Sequence, residues 1–360
     1  MTKRLYTKIV GTGSYIPTRT ISNEHFKDYV FYDACTKQPL EKSNEEIIQK
    51  FKEITNISER RWLSDDLMNS DMAAMAIKDA CESADIDPET LDFIVIGHNF
   101  GDVNVGSTQI DLLPSIANKV KAKLGIRNPS CICHDIISGC PGWTQGMITA
   151  DAYIRSGIYT RGVVVGSDVL SRISDPHDRD TMIYADGSGA TIVEAVESEE
   201  PIGILAHSSR SDAVNYWNLL TNGDSFNPDY SGNIQFIKMA GHKLYVYALS
   251  YVPGVVKDSL DKAGLQLSDI NKVLIHQANE KMDEAILKNV FKLYGEKNIP
   301  QGIMPMSIEK LGNSSTATVP TLLDLIMKGK MEGQTINKGD HILLCSVGAG
   351  MNINSIVYKV

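Results

Sequence analysis

The stretch KDACESADIDPETLDFIVIGHN, beginning at Lys78, has a counterpart in KDSLDKAGLQLSDINKVLIHQAN, beginning at Lys257, about half the chain later. Each starts Lys-Asp, runs through a helix-like stretch to a polar linker, and enters an apolar strand-like run that ends in polar residues. A helix-strand unit that recurs at half the chain length implies two similar α/β halves, and it constrains the fold more than any single motif. Around it, short β-branched runs (KIVGTG, DFIVIG, GVVVGS, ATIVEA, KVLIHQ, HILLCSVG) alternate with amphipathic stretches such as NEEIIQKFKEI, SIANKVKAKLG and EAILKNVFKLYG. That alternation is the signature of an α/β fold. The acidic stretch ESEEPIG, residues 197–203, places the seam, giving an N-terminal half over 1–199 and a C-terminal half over 200–360.

Composition narrows the function. With 42% hydrophobic residues in 360, the chain buries a substantial core, and its net charge of -9 argues against broad binding to nucleic acid. The opening MTKRLYTKIVGTGSYIP is charged and then broken by Gly, unlike the apolar core of a signal peptide, and no run is apolar enough to span a bilayer. Six cysteines, Cys35, Cys81, Cys131, Cys133, Cys140 and Cys345, are scattered in a chain too long to need disulfide staples. Together with the missing signal they point to a reducing cytoplasm. CICH at 131–134 has metal-ligand spacing but lacks a second ligand pair, so no metal site is expected. GTGSYIP and SVGAG complete neither a dinucleotide fingerprint nor a P-loop.

In α/β sheets chemistry gathers beyond the carboxyl ends of strands. Cys140 lies there, in HDIISGCPGWTQG, with Pro141 opening a helical pattern. A thiol at a helix N-terminus meets the positive end of the dipole, so the expectation is a lowered pKa and a reactive thiolate. The alternative is a buried structural cysteine. His276 stands where the run VLIHQAN stops, and Asn313 stands in LGNSSTATVP, which also reads as an ordinary turn or cap.

These motifs, in order along nearly the whole chain, resemble the β-ketoacyl-acyl-carrier-protein synthase III family of the thiolase superfamily. The matching segments are YTKIVGTGSYIP, SGCPGW, GSDVLSRISDPHDRDTMIYADGSGA, MAGHKLYVYAL, HQAN, GNSSTATVP and SVGAGMN. The resemblance implies a duplicated five-layered αβαβα fold and a homodimer. It implies that Cys140 takes an acyl group from a primer thioester, and that His276 and Asn313 donate hydrogen bonds to the carbonyl of a malonyl extender carried on acyl carrier protein. The NH groups of Cys140 and Gly350 would form the oxyanion hole. The product would be a 3-oxoacyl thioester of fatty-acid, polyketide or related lipid synthesis, with coenzyme A or carrier-protein thioesters as substrates and no cofactor.

Departures from the family pattern concern the primer. The aromatic ring and arginine that help hold the coenzyme A nucleotide are replaced by Lys50 and Ile54, while Arg179 retains the other arginine. A common Asn near the pantetheine arm is His242. A primer delivered on carrier protein therefore stands beside coenzyme A. The segments FYDACTKQPLEKS (31–43) and HNFGDVNVGSTQIDLLPS (98–115) are longer than in short family members, and Leu113 falls near a position often held by Phe at the end of the acyl pocket. The primer is thus expected to differ from acetyl. Lys281, Lys288 and Lys292 share one helix face, and Lys281 falls where a basic docking residue for carrier protein usually sits. Three alternatives stay open: an acyltransferase or hydrolase without decarboxylation, a non-decarboxylating condensation, and a non-catalytic acyl-binding paralogue.

Overall fold

The structure, a computed structural model, describes residues 3–107, 109–230 and 234–360. Residue 108, within the lengthened segment 98–115, lies outside them. The first sheet takes β1 (Arg4–Tyr15), β2 (Phe93–Gly97), β3 (Ile132–Ile136), β4 (Arg161–Val169) and β5 (Asp186–Ser198), in the order β1-β5-β4-β2-β3. The second takes β6 (Gly203–Ser211), β7 (Ile270–Ile275), β8 (His341–Gly348) and β9 (Asn352–Lys359), in the order β6-β9-β8-β7. In each sheet the first two pairings are antiparallel and the third is parallel. The second sheet therefore repeats the first strand for strand, and β3 is the extra edge of the first.

Helices fill three layers because their apolar faces differ in extent. α1 (Asn69–Ala84) and α2 (Ile116–Leu124) bury one stripe, including Ala73, Ile77, Ala80, Ile116 and Val120, against the outer face of the first sheet. α4 (Gly241–Ala263) and α5 (Glu280–Leu293) do the same on the second sheet through Val252, Val256, Ile286 and Val290. α3 (Gly142–Arg155) and α6 (Thr318–Met327) lie between the sheets, and one core joins Trp143, Met147, Val319, Leu322 and Leu323 to Val95, Val164, Leu274, Leu344 and Ile356 of both. The result is five layers, helix-sheet-helix-sheet-helix.

The duplication matters because it makes the two central helices equivalents. Each begins after a loop on the same side of the core, so Cys140, just before α3, and the Asn313–Ser315 turn, just before α6, are brought together. Close backbone approach is enforced by glycine. A Cβ on Gly139, whose φ is +64°, would stand 2.4 Å from the Ala349 nitrogen, and one on Gly348 would stand 2.5 Å from the Cys140 nitrogen.

Candidate active site

Cys140, His276 and Asn313 line one cavity of about 260 Å³ between the halves. Its remaining wall is largely apolar, with Phe100, Leu170, Ile237, Met239 and Leu244 among the residues that form it. The HQAN segment divides its labour. The His276 NH donates to Cys345 O at 2.8 Å, extending the β7–β8 pairing by one residue. Gln277 is fully buried, and its Oε1 accepts from the NH groups of Ser307 and Ile308 at 2.7 and 3.1 Å, fixing the turn below the site. Asn279 caps α5 by accepting from the Met282 NH at 3.2 Å.

The environment of Cys140 reverses the expected direction of its pKa. Burial, and then the negative charge of Asp168, push the thiol up to about 12, against the opposing hydrogen bonds from Ser315 and from its own backbone NH. Being enclosed between the two halves outweighs the helix start, because desolvation penalises the thiolate in proportion to the water removed. The resting group is a neutral thiol.

Four polar residues that the sequence reading left without a role form a hydrogen-bonded group that reaches that sulfur through Ser315. Ser315 Oγ donates to Cys140 Sγ at 3.4 Å. Asn99 Nδ2 donates to Ser315 Oγ at 2.9 Å and to Asp168 Oδ2 at 2.7 Å, and the Asn99 backbone NH also donates to Asp168, at 2.8 Å. Thr316 Oγ1 donates to Asp168 at 3.1 Å. Asp168 is buried, and that burial raises its pKa. Asn99 follows the strand run of DFIVIGHN and Asp168 ends that of GVVVGSD, so the strand-end rule that singled out Cys140 and His276 reaches these two as well. Ser315 neighbours Asn313 in the same motif, and its φ of 53° is the left-handed region that this turn requires.

Hydrogen bonds orient the other two expected residues. Asn313 Oδ1 accepts from the Ser315 NH at 2.8 Å, so its Nδ2 is the group left to donate into the cavity. His276 Nδ1 lies 2.8 Å from Thr318 Oγ1, and that hydroxyl donates to Ser315 O at 3.0 Å. With the hydroxyl proton so used, the tautomer assigned by the network carries its proton on Nδ1 and presents a lone pair at Nε2. Burial lowers the His276 pKa to about 4, so the ring is neutral at pH 7. In this tautomer Nε2 is an acceptor.

The remaining expected positions lie outside the cavity lining. Gly350 is not among the lining residues of the cavity; Gly348 and Ala349 are. Arg179 and His242 are exposed, and neither lines the cavity. Lys281, Lys288 and Lys292 are exposed on α5, whose neighbouring Met282 faces the cavity. Leu113 is 89% exposed and also stands away from the cavity. All six cysteines are free thiols. Among the described residues, no cluster suits a metal ion and no helix is long and apolar enough to cross a membrane.

Two sequence patterns match the chain: 3-oxoacyl-[acyl-carrier-protein (ACP)] synthase III over residues 134–213, and the C-terminal pattern of the same enzyme over 260–360. Among solved structures, the 3-oxoacyl-[acyl-carrier-protein] synthase III of Aquifex aeolicus is 29% identical, covering 98% of this chain and 100% of its own, with a TM-score of 0.79. The β-ketoacyl-[acyl carrier protein] synthase III of Thermus thermophilus is 27% identical over 98% of this chain and 99% of its own, with a TM-score of 0.77. The priming β-ketosynthase of the R1128 polyketide biosynthetic pathway shares the fold, at 23% identity over 100% of this chain and 98% of its own, with a TM-score of 0.79.

Proposed function

Because the chain belongs to the 3-oxoacyl-[acyl-carrier-protein] synthase III family, whose members are acyl-transferring condensing enzymes, we propose that it joins an acyl primer to a malonyl extender by decarboxylative Claisen condensation. The observation that carries this reading is the single cavity shared by Cys140, His276 and an Asn313 amide turned to donate.

In the first step the Cys140 sulfur attacks the primer thioester, His276 Nε2 takes the thiol proton, and the departing thiolate receives it. The imidazole is neutral at pH 7, so its Nε2 lone pair is free to accept that proton. The NH of Cys140 and that of Ala349, the closing-turn residue that borders the cavity, stabilise the tetrahedral oxyanion. Ser315 supports the sulfur while it carries charge. In the second step the malonyl group loses carbon dioxide, Asn313 Nδ2 stabilises the enolate oxygen, and the enolate carbon attacks the acyl-Cys140 carbonyl; the sulfur–acyl bond breaks to give a 3-oxoacyl thioester, and the released Cys140 thiolate takes up a proton from water to return to the neutral thiol. The residues supply this chemistry without a cofactor.

The extender arrives on acyl carrier protein, and the exposed lysines of α5 beside the cavity helix face support docking there. Delivery of the primer on carrier protein as well is supported by the lengthened segment 31–43. Its Asp33 carboxylate is held below its usual range by the NH groups of Thr36 and Cys35 and also by Arg179, so an acid lies beside the arginine expected to meet a nucleotide. A homodimer is supported by the edge strand β3, where Ile132 and Ile137 are exposed along with Leu113. Pairing β3 with its copy would cover that edge. Free thiols throughout suit the cytoplasm.

Intact-mass spectrometry with a panel of acyl thioesters tests the proposal. A single acyl adduct, absent in Cys140→Ser, is expected. No adduct from any donor, or an unchanged labile thioester in Cys140→Ser, would overturn it. Adduct formation without carbon dioxide release from malonyl carrier protein would assign simple acyl transfer instead.

A further inference from the structure

Asn99 lines the cavity, and its position is fixed from two sides. Before it, the fully buried His98 accepts from the Gly101 NH at Nδ1, at 3.1 Å, so its Nε2 carries the proton that is donated to Asp135 of β3 at 3.0 Å. Asn99 itself clasps Asp168 twice, its NH donating to Oδ1 at 2.8 Å and its Nδ2 to Oδ2 at 2.7 Å. The same Nδ2 donates to Ser315 Oγ at 2.9 Å. Both amide hydrogens are thereby used. Turning the amide over would set its oxygen against a carboxylate, which assigns the orientation.

The amide nitrogen stands between a carboxylate and a hydroxyl, and Ser315 has one proton to give. A carboxylate is a stronger acceptor than the sulfur of a thiol, so an open path to Asp168 would draw that proton away from Cys140. The path is short. Burial raises the Asp168 pKa, and the Asn99 NH, His98 and then the Ser315 hydroxyl oppose that rise, which requires the hydroxyl to lie near the acid. With Asn99 in place, Ser315 Oγ accepts from the amide and directs its own proton to Cys140 Sγ, 3.4 Å away.

We propose that Asn99 is a positioning residue for the condensation: its amide separates the Asp168 carboxylate from the Ser315 hydroxyl and keeps the Ser315 proton on the Cys140 sulfur. This rests on the condensation proposed above, in which that sulfur leaves as a thiolate when the 3-oxoacyl product forms. A donor already aimed at the sulfur meets the charge as it develops.

The test is a double-mutant cycle on the full-length protein, read by iodoacetamide alkylation between pH 6 and 10. The Cys140 Sγ–carbon bond forms, iodide leaves, the thiol proton passes to solvent, and the exposed Cys35 serves as reference. Asn99→Ala and Ser315→Gly are each expected to slow Cys140 about tenfold across the pH profile, and the double variant to fall within about twofold of either. A wild-type rate in Asn99→Ala, as water replacing the amide would give, overturns the inference. So does a loss of about a hundredfold in the double variant, as two independent structural effects would give. If Asn99→Ala does not fold, Asn99→Thr, whose single hydroxyl proton serves the carboxylate or the serine but not both, runs the same cycle with the same criteria. No substrate takes part, so these outcomes are separate from the condensation itself. A chase of acyl-Cys140 protein with malonyl carrier protein tests that step: wild-type protein that keeps its adduct overturns the condensation reading, whereas Asn99→Ala that clears it at the wild-type rate overturns only the role of Asn99.

Discussion

Replacing Ser315 by glycine removes the hydroxyl that reaches the Cys140 sulfur while suiting a backbone whose φ is 53°. Alanine would add left-handed strain at the same position and confuse the reading. A hydrogen bond to a charged group contributes about 1.5–3 kcal/mol, and the diffuse charge of sulfur, a weak acceptor, argues for the lower end. At about 1.4 kcal/mol per unit, the thiol pKa should rise by about one unit, leaving about tenfold less thiolate at any working pH. The assay is carboxamidomethylation by iodoacetamide between pH 6 and 10, followed at the Cys140 peptide with the exposed Cys35 as internal reference. With a pKa raised to about 12, wild-type Cys140 should alkylate faster at each higher pH without reaching a plateau, and Ser315→Gly should run parallel about tenfold lower. A plateau near pH 7 would show that the helix start governs the thiol after all. An unchanged rate, or a fall shared by Cys35, would refute the role assigned to Ser315.

Other perturbations separate the parts of the site. Asn313→Ala should suppress carbon dioxide release by about 10²–10³-fold, the usual cost of an oxyanion donor, while Cys140 acylation measured by intact mass falls far less. His276 has a folded pKa near 4 against 6.5 unfolded, so the unfolded chain binds the extra proton in that window. The stability belonging to this residue is complete above pH 6.5 and is lost as pH falls towards 4, in total about 3 kcal/mol; urea titrations should show that slope reduced in His276→Gln. Lys238 lies 2.5 Å from the buried Asp175 and 3.4 Å from Asp178, so Lys238→Met, which strands those carboxylates, should cost about 3–5 kcal/mol in the same titration. Lys281→Glu should raise the KM for malonyl carrier protein at low salt, and an unchanged KM would remove that docking surface.

How much was legible in the sequence follows from the range of each interaction. The paired helix-strand units at Lys78 and Lys257 are local patterns, and they carry α1–β2 and α4–β7, the skeleton of both sheets. The corner at Cys140 is local too, since Gly139 and Pro141 announce it. The state of its thiol is not local. It depends on Asp168 at the end of β4 and on burial against the second half, neither of which a local reading of SGCPGW contains. The donor line from Asn99 through Ser315 joins residues 216 positions apart, and the His276 tautomer turns on a Thr318 hydroxyl already committed elsewhere. In the closing turn SVGAG the resemblance pointed to Gly350, whereas Gly348 and Ala349 are the residues of that turn that border the cavity.

The central claim is that a thiol from one half and an amide from the other serve one condensation. Intact-mass spectrometry of pre-acylated protein, chased with malonyl carrier protein, tests it most directly. The account predicts that the Cys140 adduct disappears as 3-oxoacyl carrier protein and carbon dioxide appear in equal amounts, and that Asn313→Ala retains the adduct through the chase. An adduct lost to water or to another acceptor with no carbon dioxide released, or an Asn313→Ala protein that clears it at the wild-type rate, would contradict it.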